Sequence, residues 1–242
     1  MPFMPTGNAP HEPTGFTEFR DGAVTILPAM AAATPFAFLL GALATDKGLS
    51  TLETGSMSAL VFAGSAQFIV LDTWQSPAPW LLIGLVTFVV NFRHVFMSAS
   101  VLRHMGAFSP GARCAALFFL VDETWAFAEA RAARDRLTPA YYAGLVGFFY
   151  LNWVVSSVLG AYVGRLIRDP RAYGFDFAFI AIFIGLIVGF RGRPGFVATV
   201  IASAGAATLV HLLHPGPLSI AVGAAAGILA AAIAVEPSEA PK

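Results

Sequence analysis

The sequence predicts an all-α integral membrane protein of about seven transmembrane helices, with two halves related as an inverted repeat. Three observations carry that expectation. Only 12% of residues are charged and 57% are hydrophobic, where an ordinary soluble domain carries roughly 25% charge. The charges are clustered, so that 22–45, 54–71, 73–92, 137–164, 177–190 and 194–235 contain no Asp, Glu, Lys or Arg. A helix needs about 20 apolar residues to cross the hydrocarbon core. Most of these runs are long enough to cross, and the last is long enough for two crossings.

Taken in order, residues 1–19 hold four prolines and two glycines and read as a flexible tail with an aromatic stretch at Phe16 and Phe19. The first run ends Ala42-Leu43-Ala44, which has the form of a signal-peptidase site. Its 24 residues exceed a signal-peptide core, it contains Pro28 and Pro35, and Glu18, Arg20 and Asp21 precede it in place of a basic region. It is therefore expected to stay as the first span. The spans are predicted at 22–45, 54–74, 79–101, 140–164, 177–190, 196–213 and 217–235. They make one membrane domain over 20–235, closed by a short tail at 236–242.

Segment 111–130 is ambiguous, because Asp122 and Glu123 interrupt it. Positive charge collects on the cytoplasmic side of membrane proteins. If this segment does not cross, Lys47, Arg103, Arg113, Arg131, Arg134, Arg136, Arg191, Arg193 and Lys242 fall on one side, nine against four. That arrangement is preferred, with the N-terminus outside and the C-terminus inside. Leu40-Gly41-Ala42 followed by Val61-Phe62-Ala63-Gly64 recurs as Leu159-Gly160-Ala161 followed by Ile182-Phe183-Ile184-Gly185. Three spans on either side of a non-crossing segment would oppose the two halves, the plan of many secondary transporters.

Composition also excludes function classes. Net charge is zero, and no basic stretch interleaved with aromatics points to nucleic acid. The single Cys114 excludes an intrachain disulfide, and no Cys/His cluster has metal-ligand spacing. No metal or cofactor is expected.

Three places could carry chemistry. Asn91-Phe92-Arg93-His94 lies inside a hydrophobic segment, where Arg costs about 2.5–3.5 kcal/mol and so faces a polar cavity or a partner. The competing reading is a helix ending near Phe92, with Arg93 snorkelling to the interface. In Phe62-Ala63-Gly64-Ser65-Ala66-Gln67-Phe68, small residues permit either close helix packing or a local break. A break would expose amide N–H groups to a substrate carboxylate. Asp122-Glu123 stand between Phe118-Phe119 and Phe127, so they are either costly carboxylates able to carry a proton or a solvated loop face. Asn152-Trp153 and His211 read as satisfied interhelical contacts.

At these residues the sequence resembles the AzlC/YgaZ family, the large subunit of branched-chain amino-acid exporters. The resemblance runs from about Phe19 to Gly189. It is carried by Gly22, Pro28, Pro35-Phe36 and Gly41, Gly48-Leu49-Ser50, FAGSAQF at 62–68, NFRH at 91–94, Asp122-Glu123 and Gly174-Phe175-Asp176-Phe177-Ala178. It implies proton-coupled export of branched-chain and similar apolar amino acids from a bacterial inner membrane, with a small hydrophobic AzlD/YgaH-type partner. Gly64, Ser65, Gln67, Asn91 and Arg93 are then the expected substrate-binding set, and Asp122, Glu123 and His94 the proton-coupling set. Two competitors are a non-transporting assembly subunit and an intramembrane hydrolase using Ser65 and His94. The hydrolase has little support, since there is no HExxH and Ser65 is not in a GxSG context.

Overall fold

A computed structural model describes residues 14–75, 77–166, 184, 187–188, 191–215 and 218–234, and among these the regular structure is helical throughout. In chain order the helices are α1 (Gly15–Thr25), α2 (Leu27–Asp46), α3 (Thr51–Leu60), α4 (Gly64–Thr73), α5 (Trp80–Asn91), α6 (Arg93–Leu102), α7 (Pro110–Phe118), α8 (Asp122–Ala132), α9 (Pro139–Gly164), α10 (Phe196–Leu213) and α11 (Leu218–Ala234). Four stretches are long and apolar enough to cross a membrane: Leu27–Asp46, Trp80–Leu102, Pro139–Gly164 and Phe196–Leu213. The expected spans 22–45, 79–101, 140–164, 196–213 and 217–235 thus correspond to helices, while 177–190 lies almost wholly outside the described residues. Outward apolar side chains such as Leu52, Leu81 and Ile233 are 80%, 89% and 84% exposed, a surface suited to hydrocarbon rather than water.

Local chemistry sets the ends. α1 starts within the expected tail: the Thr14 hydroxyl accepts from the Thr17 N–H at 3.4 Å, and Phe16 and Phe19 are helical. α2 stops at Gly48, whose φ of +88° favours glycine. The Leu49 N–H then reaches back to the Ala44 carbonyl at 3.0 Å, closing the helix as a Schellman turn does. α3 opens on a capping box, with Glu53 N–H on Ser50 Oγ (3.2 Å) and Ser50 N–H on Glu53 Oε2 (2.7 Å).

The chain divides into two compact units, Met1–Gly64 with Phe92–Val163, and Ser65–Asn91 with Gly164–Lys242. In the first unit α9 is the centre. α1 and α2 run beside it in the same direction. Glu18 meets Thr138, the Asn152 amide donates to the Met30 carbonyl, and the Thr45 hydroxyl donates to the Ala161 carbonyl. Gly22, Gly144, Gly41 and Gly160 sit at the crossings, where a Cβ would fall 1.9–2.0 Å from a backbone oxygen of the neighbouring helix. Small residues allow such approach in membrane bundles. The repeated Leu-Gly-Ala tripeptides therefore face one another across a parallel contact.

α3 runs against α9. Gly55 faces Val158, and the Ala59 carbonyl accepts from the Tyr150 hydroxyl. α7 runs with α9, from the Phe108 and Tyr142 ring contact to Phe119 on Tyr150. α8 then returns: Arg131 near its end lies over the Tyr141 ring at 4.8 Å and pairs with Glu18. Segment 110–132 thus doubles back to the end it left, as expected of a non-crossing segment.

Two expectations are corrected. The span 54–74 is not one helix but two ten-residue pieces separated at 61–63. Alternating crossings would oppose the first and fourth spans, yet α2 and α9 point the same way, so the N-outside assignment does not follow. Arg20, Arg103, Arg113, Arg131, Arg134 and Arg136 gather where α1, α7 and α9 begin and α6 and α8 end, and Lys47 lies at the other end of α2. Clustered basic residues of this kind are the feature that marks the cytoplasmic side of membrane proteins.

In the second unit α10 and α11 pack antiparallel through small residues, Gly223 against Ala207 and Gly227 against Ser203. Among the described residues α4 and α5 also belong to that unit.

Candidate functional site at two helix breaks

α3 ends where Val61 leaves helical geometry, at φ −122° and ψ 73°. The Ala63 N–H turns to the Val61 carbonyl at 2.8 Å, which deprives the Ala59 carbonyl of its helical partner. An unsatisfied backbone group costs several kcal/mol in hydrocarbon. Tyr150 of α9 meets that need, its hydroxyl donating to Ala59 O at 3.0 Å. α4 then opens at Gly64 against Trp153, where a Cβ would stand 2.6 Å from the indole.

The second break lies between α7 and α8 and is built the same way. Tyr142, also on α9, donates to the Ala116 carbonyl in the last turn of α7 at 3.0 Å. Thr124 is fully buried. Its Oγ1 accepts from Val121 N–H at 2.9 Å and lies 3.1 Å from Val121 O and 3.3 Å from Phe119 O, stitching the turn to the new helix. The two breaks approach α9 from opposite directions and share one residue. The Phe62 and Phe119 rings stand edge-on to Tyr150 at 5.2 and 5.0 Å.

Charge is placed beside the second break. Asp122, first residue of α8, pairs with Arg93, first residue of α6, at 2.9 Å, and both side chains are about half exposed. Carboxylates in the first turn of α8 also meet its free N–H groups and dipole. Two turns further along the same helices, Glu129 takes the Ser100 hydroxyl and approaches His104 Nε2 at 3.3 Å. At the basic end Glu18, 4% exposed, is held by Arg131 (2.9 and 3.2 Å) and by the Thr138 hydroxyl (2.7 Å). A charge buried so deeply has to be paired.

Of the residues expected from sequence, Gly64, Arg93, His94, Asp122 and Glu123 belong to the first unit. Arg93 and Asp122 meet directly, His94 follows Arg93 on α6, and Glu123 follows Asp122 on α8. Of the two readings left open for FAGSAQF, the local break is the one found, at 61–63, with α4 beginning at Gly64. Ser65, Gln67 and Asn91 belong to the second unit, where Gln67 is 1% exposed. Asn152 is the satisfied interhelical residue it was expected to be, bonded to Met30 and Thr34. Sequence reasoning missed Tyr142, Tyr150, Thr124 and the Glu18–Arg131 clasp. The available signal was tyrosine in an apolar span, since a buried phenol needs an acceptor.

The sequence pattern described as AzlC protein matches residues 28–167. The chain is 29% identical over 214 residues to an uncharacterized membrane protein of Archaeoglobus fulgidus, covering 87% of this chain and 93% of that one. It is 26% identical over 230 residues to the inner membrane protein YgaZ of Escherichia coli K12, covering 93% and 94%. A membrane protein of Haemophilus influenzae matches at 24% over 138 residues, 57% of this chain and 56% of its own. No solved structure matches.

Proposed function

Because this chain belongs to the AzlC family, we propose that it is a bacterial inner-membrane transporter that exports branched-chain and similar apolar amino acids in exchange for protons. It acts with a small AzlD/YgaH-type subunit. The observation that carries the reading is the meeting of two helix breaks at Tyr150, with the Arg93–Asp122 pair at the start of α8. Helix breaks expose backbone N–H and C=O groups able to bind the charged ends of an amino acid. Arg93 serves the carboxylate by exchanging Asp122, its partner in this structure, for the substrate. Asp122 is occupied by Arg93, so Glu123 is the better proton carrier of the acidic pair, with His94 nearby on α6. Gly64, Ser65, Gln67 and Asn91 are kept as substrate contacts on the family membership alone.

The experiment is counterflow of labelled valine and leucine in proteoliposomes holding the full chain, with and without the partner, under an imposed pH gradient. Transport accelerated by the gradient is expected. Absence of any exchange with both subunits present would leave the assembly-subunit reading in its place. Full activity of Ser65→Ala would remove the hydrolase reading.

A further inference from the structure

We infer that Tyr150, flanked by Phe62 and Phe119, is the specificity-determining contact for the apolar side chain of the transported amino acid. This rests on the transport reading and deepens it.

A ligand that is charged at one end and apolar at the other needs two kinds of surface within a few ångströms. The first unit contains both kinds. On the polar side stand the start of α4 at Gly64 and the start of α8 at Asp122 with its Arg93 partner. On the apolar side stand three rings. Phe62 is two residues before Gly64, and Phe119 three before Asp122, so the Cα of each lies within about 11 Å of its helix start, whatever the backbone path.

The rings differ in exposure. Phe62 is buried at 6% and wedged by Phe149 at 6.2 Å as well as by Tyr150. Phe119 and Tyr150 are only part-buried, so each keeps some accessible surface. Tyr150 cannot swing away without stranding the Ala59 carbonyl. Its ring is thus a fixed wall against which side-chain size is measured, and each break contributes one further aromatic edge.

The test measures transport of labelled valine and phenylalanine by proteoliposomes of the full chain with its partner subunit, for the parent, Tyr150→Phe, Tyr150→Ala and Phe119→Leu. One or two methylenes in an apolar pocket are worth about tenfold or more in selectivity. Tyr150→Ala is expected to raise the phenylalanine-to-valine ratio of kcat/KM by about tenfold, chiefly through KM. Tyr150→Phe strands the Ala59 carbonyl and should lower both rates, but because the ring remains packed by Phe62 and Phe119 the ratio should stay within about twofold of the parent. Phe119→Leu leaves the Tyr150 hydrogen bond intact and should shift the ratio the same way by a smaller factor, which keeps the test available if Tyr150→Ala does not fold. In Tyr150→Ala and Phe119→Leu a purely structural role lowers both rates together and leaves the ratio unmoved, and that result overturns the inference while the transport reading stands. If the parent moves neither amino acid, the transport reading falls and takes this one with it.

Discussion

Alanine at the α2–α9 crossings gives a prediction whose size follows from the geometry. At Gly41 a new Cβ would lie 1.9 Å from the Ser157 carbonyl oxygen and 2.5 Å from the Ala161 nitrogen; at Gly160 it would lie 1.9 Å from the Phe38 oxygen. These are backbone atoms, so no rotamer change relieves the contact. Ordinary contact begins near 3.4 Å, and close-packed helices must then part by more than about 1 Å. Parting on that scale breaks the hydrogen bonds from Thr45 to the Ala161 carbonyl and from Thr34 to Asn152, now 3.0 and 3.1 Å. Overpacking costs about 1–3 kcal/mol and each lost hydrogen bond about 1. Gly41→Ala or Gly160→Ala should therefore lose about 3–5 kcal/mol, or roughly 6–20 °C of melting temperature for a chain of this size. The assay is thermal unfolding in detergent, with Gly147→Ala as control. Gly147 lies on the same α9 with nothing within 4 Å of its Cβ position, and alanine there favours the helix by about 1 kcal/mol. Melting of both Gly41→Ala and Gly160→Ala within about 2 °C of the parent would refute the parallel glycine contact.

Three further outcomes are expected. In a Cys114→Ser background, single cysteines replacing Arg20 and Arg134 should label from the cytoplasmic face and one replacing Lys47 from the opposite face; labelling of all three from one side removes the assignment of the basic end. Arg93→Ala should cut valine export at least tenfold while costing about 1 kcal/mol or less in stability, as an exposed pair does, and Glu123→Gln should lose the response to a pH gradient but keep exchange; normal export by Arg93→Ala restores the interfacial-anchor reading. Hydrogen bonds from the Ser50 side chain and then its backbone N–H hold the Glu53 carboxyl below its ordinary pKa, so its contribution to the α3 cap is present at neutral pH and lost as pH falls below about 4.3 through the lowered value. Protection factors of the amides at the start of α3, with the intrinsic pH dependence of exchange divided out, should fall over that acid range in the parent and not in Glu53→Gln; identical protection profiles would show that the cap does not titrate.

Sequence alone determined the class of this protein and the location of its irregularities. Hydrocarbon admits few charges and demands long apolar runs, so α2, α9, α10 and the stretch Trp80–Leu102 were legible from composition within a few residues. Gly64, Arg93 and Asp122 also stood out locally, because glycine or charge inside an apolar segment is costly unless the chain does something unusual there. Tertiary structure decided the rest. Tyr142 and Tyr150 look like ordinary members of an apolar run, and only the folded chain brings each under the carbonyl that a broken helix leaves bare. The repeated Leu-Gly-Ala suggested opposed halves, yet direction is no local property of a tripeptide; the glycine contacts along α2 and α9 made it parallel. Segment 110–132 has the length of a span, and what turns it back is a buried threonine at the break together with pairing of Arg131 to a glutamate 113 residues away. Apolar character fixes where a chain can enter a bilayer, but whether it crosses depends on polar partners that distant parts of the sequence supply.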